Sequence, residues 1–186
     1  MENGIKKILR DKYGLFEKDI EILLEKFTKF SVPKREIILQ ERQTDHYIYF
    51  VEKGIVKSTI LREGREFIIF FALENAVPLS SPNLTESRQS LYTLEAVDTC
   101  ILWRISRKDL ATSFKDSLNL SNWGRMILQE WLTSSAFYFS SIHWMSKKEQ
   151  YQYLLKEMPK LIQRLSMRDL SAWLDICLLY TSPSPR

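Results

Sequence analysis

Between residues 36 and 105 the chain is a succession of short apolar segments, and this pattern restricts the fold more than any other feature. The segments are EIILQE, HYIYFV, GIVKSTIL, EFIIFFA, SLYTLEA and TCILWRI, all rich in β-branched and aromatic side chains. Polar pieces separate them, and Gly54 and Gly64 stand where hairpins need a residue that accepts a positive φ. The pattern predicts a small antiparallel sandwich or barrel.

Helical periodicity lies on both sides of this β region. Apolar residues recur at spacings of three and four in residues 5–30, which predicts an amphipathic helix that Pro33 stops. Ser106 with Asp109 has the spacing of a capping box at a helix start, directly after the last predicted strand. The predicted fold class is therefore α+β.

A longer helix, predicted from about residue 119 to Met145, carries two apolar stripes. The first stripe contains Leu120, Ile127, Trp131 and Tyr138, and the second contains Leu128, Leu132, Phe139 and Ile142. Because both stripes must be buried, one can lie on the sheet domain while the other requires a partner. A second copy of the helix is the simplest partner. We therefore expect a homodimer with the first stripe at its interface; the alternative is a helix buried within one subunit.

Residues 146–176 are predicted to form short helices. The spacing of a capping box occurs twice, at Ser146–Glu149 and at Ser166–Asp169. The last ten residues, CLLYTSPSPR, have no periodicity and resemble a translated adaptor read-through. Residues 177–186 are therefore expected to be a non-native tail.

Composition argues against several classes of protein. No apolar run approaches the roughly 18 residues that a membrane helix needs, and the N-terminus lacks the apolar segment of a secretion signal. Cys100 and Cys177 are too few for a disulfide framework, which fits a reducing compartment. His46 and His143 lie in different kinds of segment and form neither a metal site nor a catalytic triad. We expect a cytoplasmic protein without membrane contact, metal, catalytic residues or enzymatic activity.

Three stretches resemble the Crp/Fnr family of bacterial transcription regulators, over about residues 10–176. FVEKGIVKSTILREGREFIIFFALENA is similar to the family's strand, glycine-centred hairpin and following strand. SLYTLEAVDTCILWRISRKDL is similar to the stretch that leads into a short helix, and KKEQYQYLLKEMPKLIQRLSMRDLSAWLDI to the start of the helix-turn-helix. The resemblance implies a homodimer in which a cyclic nucleotide-binding-like jelly roll, a double-stranded β-helix barrel, senses a small ligand. It also implies a winged helix-turn-helix that binds a palindromic DNA site.

This resemblance divides the chain into three parts. Residues 1–110 would be the effector domain, residues 111–145 the dimerisation helix, and residues 146–176 an incomplete winged-helix domain. The expected function is a DNA-binding transcription regulator. The competing function is a dimeric ligand-binding or interaction module that does not contact DNA.

The stretch that would hold a cyclic nucleotide departs from the family pattern. Relatives use a Gly-Glu pair for the ribose and an Arg-Ser pair for the phosphate. Here Leu79, Ser80 and Ser81 replace Gly-Glu, and Ser90 takes the place of the phosphate Arg, with Arg88 two positions earlier. A phosphate without a positioned cation is poorly bound, so a different effector, or none, is expected instead of cyclic AMP. Ser80, Ser81, Arg88 and Ser90 remain the candidate effector pocket, the alternative being a solvated loop.

The resemblance places the first helix of a helix-turn-helix at Ser166–Ile176. The helix N-terminus at Ser166, with Arg168 beside it, is a candidate contact to DNA phosphate. The alternative is a capped surface helix with a solvated arginine. The turn and the base-reading helix are not found before the expected tail. We therefore expect DNA to be a partner of the full-length protein, which would contain them, and not of this chain.

Overall fold

The computed structural model describes residues 4–176, in which helices precede and follow an antiparallel β-barrel. The predicted non-native tail, residues 177–186, lies outside the described residues. The strands are β1 (Thr28–Val32), β2 (Ile37–Leu39), β3 (Thr44–Asp45), β4 (Tyr47–Lys53), β5 (Val56–Arg62), β6 (Arg65–Ala72), β7 (Arg88–Gln89), β8 (Thr93–Ala96) and β9 (Cys100–Ser106).

The strands pair with neighbours that are distant in sequence. One sheet has the order β1-β9-β4, a second has the order β2-β8-β5-β6, and β3 pairs with β7, all antiparallel. Apolar side chains from two of these sheets meet inside the barrel, with Val51, Val56, Leu94 and Leu102 fully buried. The predicted α+β fold with an antiparallel jelly roll is confirmed.

The N-terminal helix is divided, contrary to the prediction of one helix over residues 5–30. Helix α1 spans Gly4–Asp11 and helix α2 spans Glu17–Lys26. Between them Gly14 has a φ of +66°, which a continuing helix does not allow. The last predicted helical residues instead form β1, because the backbone from Thr28 onwards pairs with β9. Sheet pairing therefore overrides the helical spacing at this end.

The two barrel glycines serve different turns. Glu63 and Gly64 both have positive φ and form the two-residue turn of the β5–β6 hairpin, as predicted for Gly64. Gly54 is not in a hairpin, because β4 and β5 belong to different sheets. It turns the chain from one sheet to the other with a φ of +99°, directly above Cys100.

We expect Gly54→Ala to destabilise the fold by about 2–3 kcal/mol, through a left-handed backbone and a steric clash. A Cβ at this position would lie 2.6 Å from Cys100 Sγ and 2.9 Å from Cys100 Cα. Gly64→Ala is the matched control, since it also has a positive φ but no atom within 4 Å of the added Cβ. Urea unfolding of both variants measures the difference, and equal losses would show that the contact with Cys100 is unimportant.

Six helical segments follow the barrel. They are α3 (Arg107–Asp116), α4 (Leu118–Ser140), a 3₁₀ turn (Ile142–Trp144), α5 (Lys147–Glu157), α6 (Pro159–Ile162) and α7 (Met167–Leu174). The capping boxes predicted at Ser146 and Ser166 are present at the starts of α5 and α7. Of the capping box predicted at Ser106, the structure shows the bond from the Asp109 N–H to the Ser106 side chain, which caps α3. The long helix was predicted to reach Met145, whereas α4 ends at Ser140 and a separate 3₁₀ turn covers the next residues.

Helix α4 buries the stripe that was predicted to be the dimer interface. Leu120, Ile127 and Trp131 pack into the core formed with the barrel and the N-terminal helices. The Trp131 indole N–H also donates to the Val77 carbonyl at 2.9 Å. The interface prediction is therefore wrong for these three residues, because the sheet domain already covers them. Tyr138, at the far end of the stripe, is still 36% exposed.

The second stripe of α4 is the one that faces outward. Leu132 is 70% exposed and Phe139 is 63% exposed, and Leu128 is also exposed. Ile142, which was assigned to the same stripe, is buried in the 3₁₀ turn beyond α4. One stripe of α4 therefore packs on the sheet domain and the other is exposed, as expected. The buried stripe, however, is the one that was predicted to form the dimer interface.

Candidate functional site

An open cavity of about 760 Å³ lies between residues 81–91, which connect β6 to β8, and helices α3 and α4. Its apolar wall is formed by Pro82, Leu84, Leu91, Phe114 and Leu128. Its polar groups come from Ser81, Asn83, Thr85, Gln89 and Ser121, together with the guanidinium groups of Arg88 and Arg125. An apolar cavity with a few convergent polar groups is the usual form of a small-molecule site.

A buried arginine holds the loop side of this cavity in place. Arg107, the first residue of α3, is completely buried and forms an ion pair with the buried carboxylate of Asp45 on β3. Its guanidinium also donates to the Asn83 carbonyl, to the Asp45 carbonyl at 3.0 Å and to Ser80 Oγ at 3.2 Å. Because one side chain binds a strand and the loop at once, the loop is fixed relative to α3.

Two of the four predicted pocket residues, Ser80 and Ser90, do not line the cavity. Their hydroxyls are buried and hydrogen-bond to other groups of the protein. Ser80 Oγ donates to Asp45 Oδ2 at 2.6 Å, within the Arg107 cluster. Ser90 Oγ donates to the Tyr92 carbonyl at 2.6 Å. Both hydroxyls are buried and already hydrogen-bonded, so binding a ligand would require breaking these bonds.

The other two predicted residues, Ser81 and Arg88, do line the cavity. Arg88 donates through Nε at 3.0 Å and Nη2 at 2.6 Å to Glu86 Oε2, and both side chains are exposed. The hydrogen bond from Arg88, followed by its charge, lowers the pKa of Glu86. The Arg88 guanidinium is therefore neutralised locally by a carboxylate two residues away.

Arg125 is the cavity cation that the sequence analysis missed. It is on α4, where it hydrogen-bonds to Asn122 Oδ1 at 2.9 Å and to Gln129 Oε1 at 2.8 Å. Both partners are neutral, and the described residues show no carboxylate paired with it. The 23-residue helix α4 contains two charged residues, Arg125 and Glu130. A lone arginine in so apolar a helix was the sequence feature that could have indicated a functional cation.

Gly124 brings α3 close to α4 at the inner wall of the cavity. A Cβ at this position would lie 2.5 Å from Cζ of the Phe114 ring. The absence of a side chain therefore lets Phe114 pack against the helix backbone beneath Arg125. This contact ties the cavity wall to the first half of α4.

The candidate DNA-contacting residues lie at the start of α7, against the barrel. Ser166 Oγ accepts the backbone N–H of Asp169 at 3.1 Å and donates to the Asp169 carboxylate at 2.5 Å. Arg168 donates to Glu66 Oε2 of β6 at 3.3 Å. A role of Ser166 and Arg168 in phosphate binding stays a prediction.

The cysteine and histidine side chains of the described residues do not line the cavity. Residues 4–176 contain no cluster of three or more His, Cys, Asp or Glu side chains with a geometry for metal binding. Burial raises the pKa of Cys100 to about 11, which keeps its thiol protonated and weakly nucleophilic at neutral pH. His46 Nδ1 lies 3.3 Å from Ser87 Oγ at the surface. No helix in this range has the length and apolar character needed to span a bilayer.

The barrel and the helices around it are similar to known proteins. The sequence model of the cyclic nucleotide-binding domain family matches residues 29–117. FixK2 from Bradyrhizobium japonicum is similar in structure, with a TM-score of 0.72 at 21% identity over 82% of this chain and 79% of its own. CLP from Xanthomonas campestris, described as a global regulator responsive to c-di-GMP, has a TM-score of 0.71 at 16% identity, covering 87% and 86%.

A third structural neighbour is a Eubacterium rectale protein described as a transcriptional regulator of the Crp/Fnr family. Its TM-score is 0.69 at 18% identity, and the match covers 91% of this chain and 80% of that one. Comparison with curated protein sequences finds no match. Identities this low establish a shared fold, and at that level the resemblance found in the sequence is confirmed.

Proposed function

We propose that this chain is the sensory and dimerising part of a Crp/Fnr-type transcription regulator, since residues 29–117 match the sequence model of the cyclic nucleotide-binding domain family. The observation that carries the proposal is the position of the cavity. One wall is the barrel loop held by Arg107, and the opposite wall is the first half of α4. A molecule bound there contacts the sensor and the proposed dimerisation helix together, as a regulator requires.

We propose that the effector is a small organic anion with an apolar body. Arg125 can bind an anion without giving up an ion pair, since its partners Asn122 and Gln129 are neutral. Arg88 would have to leave Glu86 to do the same. Leu91 and Leu128 supply apolar surface beside these charges. Cyclic AMP is disfavoured because the Ser80 and Ser90 hydroxyls, at the positions where relatives bind the nucleotide, already donate to Asp45 and to the Tyr92 carbonyl.

In this proposal the chain has the three parts expected from its sequence. Residues 1–110 would sense the effector, 111–145 would dimerise, and 146–176 would begin the DNA-binding region. Helix α3 crosses the first boundary, which physically connects the sensor to the dimerisation helix. The partners in this proposal are a second copy of the chain, through the exposed stripe of α4, and DNA. No catalytic step is part of it.

Anilinonaphthalene sulfonate, an aromatic anion, is the probe that tests the cavity. We expect Arg125→Ala to weaken its binding by about tenfold, since a hydrogen bond to a charged group is lost. Leu91→Trp, which fills the cavity, should weaken binding similarly. Arg62→Ala is the control for the loss of one positive charge, because Arg62 is an exposed arginine that does not line the cavity and pairs instead with Glu41. Fluorescence titration measures all three affinities.

Two outcomes would contradict the proposal. Equal affinity for the wild type, Arg125→Ala and Leu91→Trp would show that the anion binds outside the cavity. Displacement of the probe by cyclic AMP below about 1 mM would show that the barrel binds cyclic AMP after all. Cyclic di-GMP, named for the Xanthomonas regulator, is the second competitor, and displacement by it would identify a nucleotide anion as effector class.

A further inference from the structure

The C-terminal helices pack on the outer face of the barrel through an apolar patch. Phe71 and Leu161 are buried there beside Ile55, Ile68 and Val97. The Trp173 ring of α7 meets the Phe71 ring of β6 edge-on, with the centroids 4.8 Å apart. Helix α7 therefore lies against the sheet that contains β5, β6 and β8.

A buried lysine of the barrel lies within this interface. Lys57 on β5 is only 2% exposed. Its ammonium donates to Asp169 Oδ1 of α7 at 2.8 Å and to Glu66 Oε1 of β6 at 2.9 Å, and Glu95 Oε1 of β8 lies 3.3 Å away. An ammonium has three donors, so one cation connects α7 to two barrel strands. These four side chains are called the Lys57 cluster below.

Lys57 and Asp169 are both held in their charged forms by their surroundings. Burial alone would lower the pKa of Lys57, but hydrogen bonds to Asp169 and Glu66 and the carboxylate charges raise it above its usual value. Burial likewise acts to raise the pKa of Asp169, yet the bonds from Lys57 and Ser166 hold it below its usual value. Both shifts have the sign expected of a formed ion pair.

A second ion cluster holds the segment just before α7. Arg164 donates to Asp98 Oδ2 at 2.6 Å and 2.9 Å, and to Glu74 Oε2 at 3.1 Å. These carboxylates belong to barrel loops, so the segment 159–176 has a second ionic attachment to the barrel.

We propose that the Lys57 cluster docks the segment 159–176 on the barrel, where the Glu66 carboxylate neutralises the exposed guanidinium of Arg168, a candidate DNA-contacting residue. This electrostatic occlusion withholds Arg168 from a phosphate. In the docked position Arg168 lies against the Glu66 carboxylate, and Asp169 beside it is bound to Lys57. The cluster thus acts as an intramolecular lock that the regulator must open before α7 can approach a phosphate. The occlusion rests on the DNA-binding function proposed above, whereas the docking does not.

Hydrogen–deuterium exchange of the whole chain tests the docking without DNA. Lys57→Met should raise the exchange rate of amides in residues 159–176 by at least about tenfold, while the β4 and β9 amides stay protected. Lys53→Met is the matched control, since Lys53 is an exposed lysine of the neighbouring β4. It should leave the segment unchanged.

Asp169→Asn keeps the test decisive if Lys57→Met unfolds the barrel. This variant changes only the docked segment, and the amide oxygen can still accept the Ser166 N–H of the capping box. It should raise exchange in residues 159–176 alone. Unchanged exchange in Asp169→Asn would overturn the docking role of the Lys57 cluster.

Binding to a 20-base-pair duplex of arbitrary sequence, at low salt, tests the occlusion separately. Lys57→Met is expected to bind at least threefold more tightly than Lys53→Met, which loses the same charge. Adding Arg168→Ala to Lys57→Met should remove the gain. If exchange shows release of the segment while duplex affinity stays unchanged, the occlusion is wrong and the docking stands.

Discussion

Replacing Arg107 with methionine is expected to destabilise the protein by about 3–5 kcal/mol, because the buried carboxylate of Asp45 loses its charged partner. The loss would also release the Asn83 carbonyl that Arg107 binds at the wall of the cavity. Urea unfolding followed by near-ultraviolet circular dichroism measures the change. The 81–91 loop should become mobile before the barrel unfolds, which amide exchange can resolve.

Arg88→Met is the matched control for Arg107→Met. Arg88 also pairs with a carboxylate, Glu86, but both groups are exposed and water replaces the lost partner. We expect little measurable change in stability. Comparable losses in the two variants would show that Asp45 is stabilised by other groups and that Arg107 is not the anchor of the loop.

Leu132→Glu is expected to convert a dimer into a folded monomer. Leu132 lies in the centre of the exposed stripe of α4, between Leu128 and Phe139. A twofold axis through this stripe would place two carboxylates in one apolar interface, where each loses its hydration. We expect the dimer dissociation constant to rise by at least about a hundredfold. Sedimentation velocity at tens of micromolar chain measures the change in mass.

Leu61→Glu provides the comparison for Leu132→Glu. It introduces the same side chain at a similarly exposed leucine on β5, away from α4. Its mass should equal that of the wild type. A wild-type chain that sediments as a monomer at tens of micromolar, or a Leu132→Glu variant that remains dimeric, would contradict the proposed interface.

The barrel could be predicted because strands and turns are encoded locally. Alternating and β-branched segments indicated most of the strands, and the Glu63–Gly64 turn followed from the conformational freedom of glycine. The capping boxes at Ser146 and Ser166 were predictable for the same reason, since the bonding partners lie three residues apart. Residues 28–30 were assigned to a helix because their strand partner is in β9, far along the chain.

The site was only partly predictable. Ser81 and Arg88 line the cavity, and their role in effector binding stays a prediction. Ser80 and Ser90 do not line it, because their hydroxyls are buried and hydrogen-bonded to other groups of the protein. Arg125 was missed because its closeness to the loop depends on how α4 lies across the barrel. Sequence spacing gives no information on such a crossing.

The sequence by itself determined most of the strands and helix starts, the α+β class and the presence of two apolar stripes on α4. Both stripes have the helical period, so periodicity could not tell which one the protein buries. The tertiary structure decided this by packing Leu120, Ile127 and Trp131 under the barrel and leaving Leu132 outside. It likewise decided the partners of Arg107 and Lys57. Their ion pairs to Asp45 and Asp169 join residues 62 and 112 positions apart, and only folding brings such groups together.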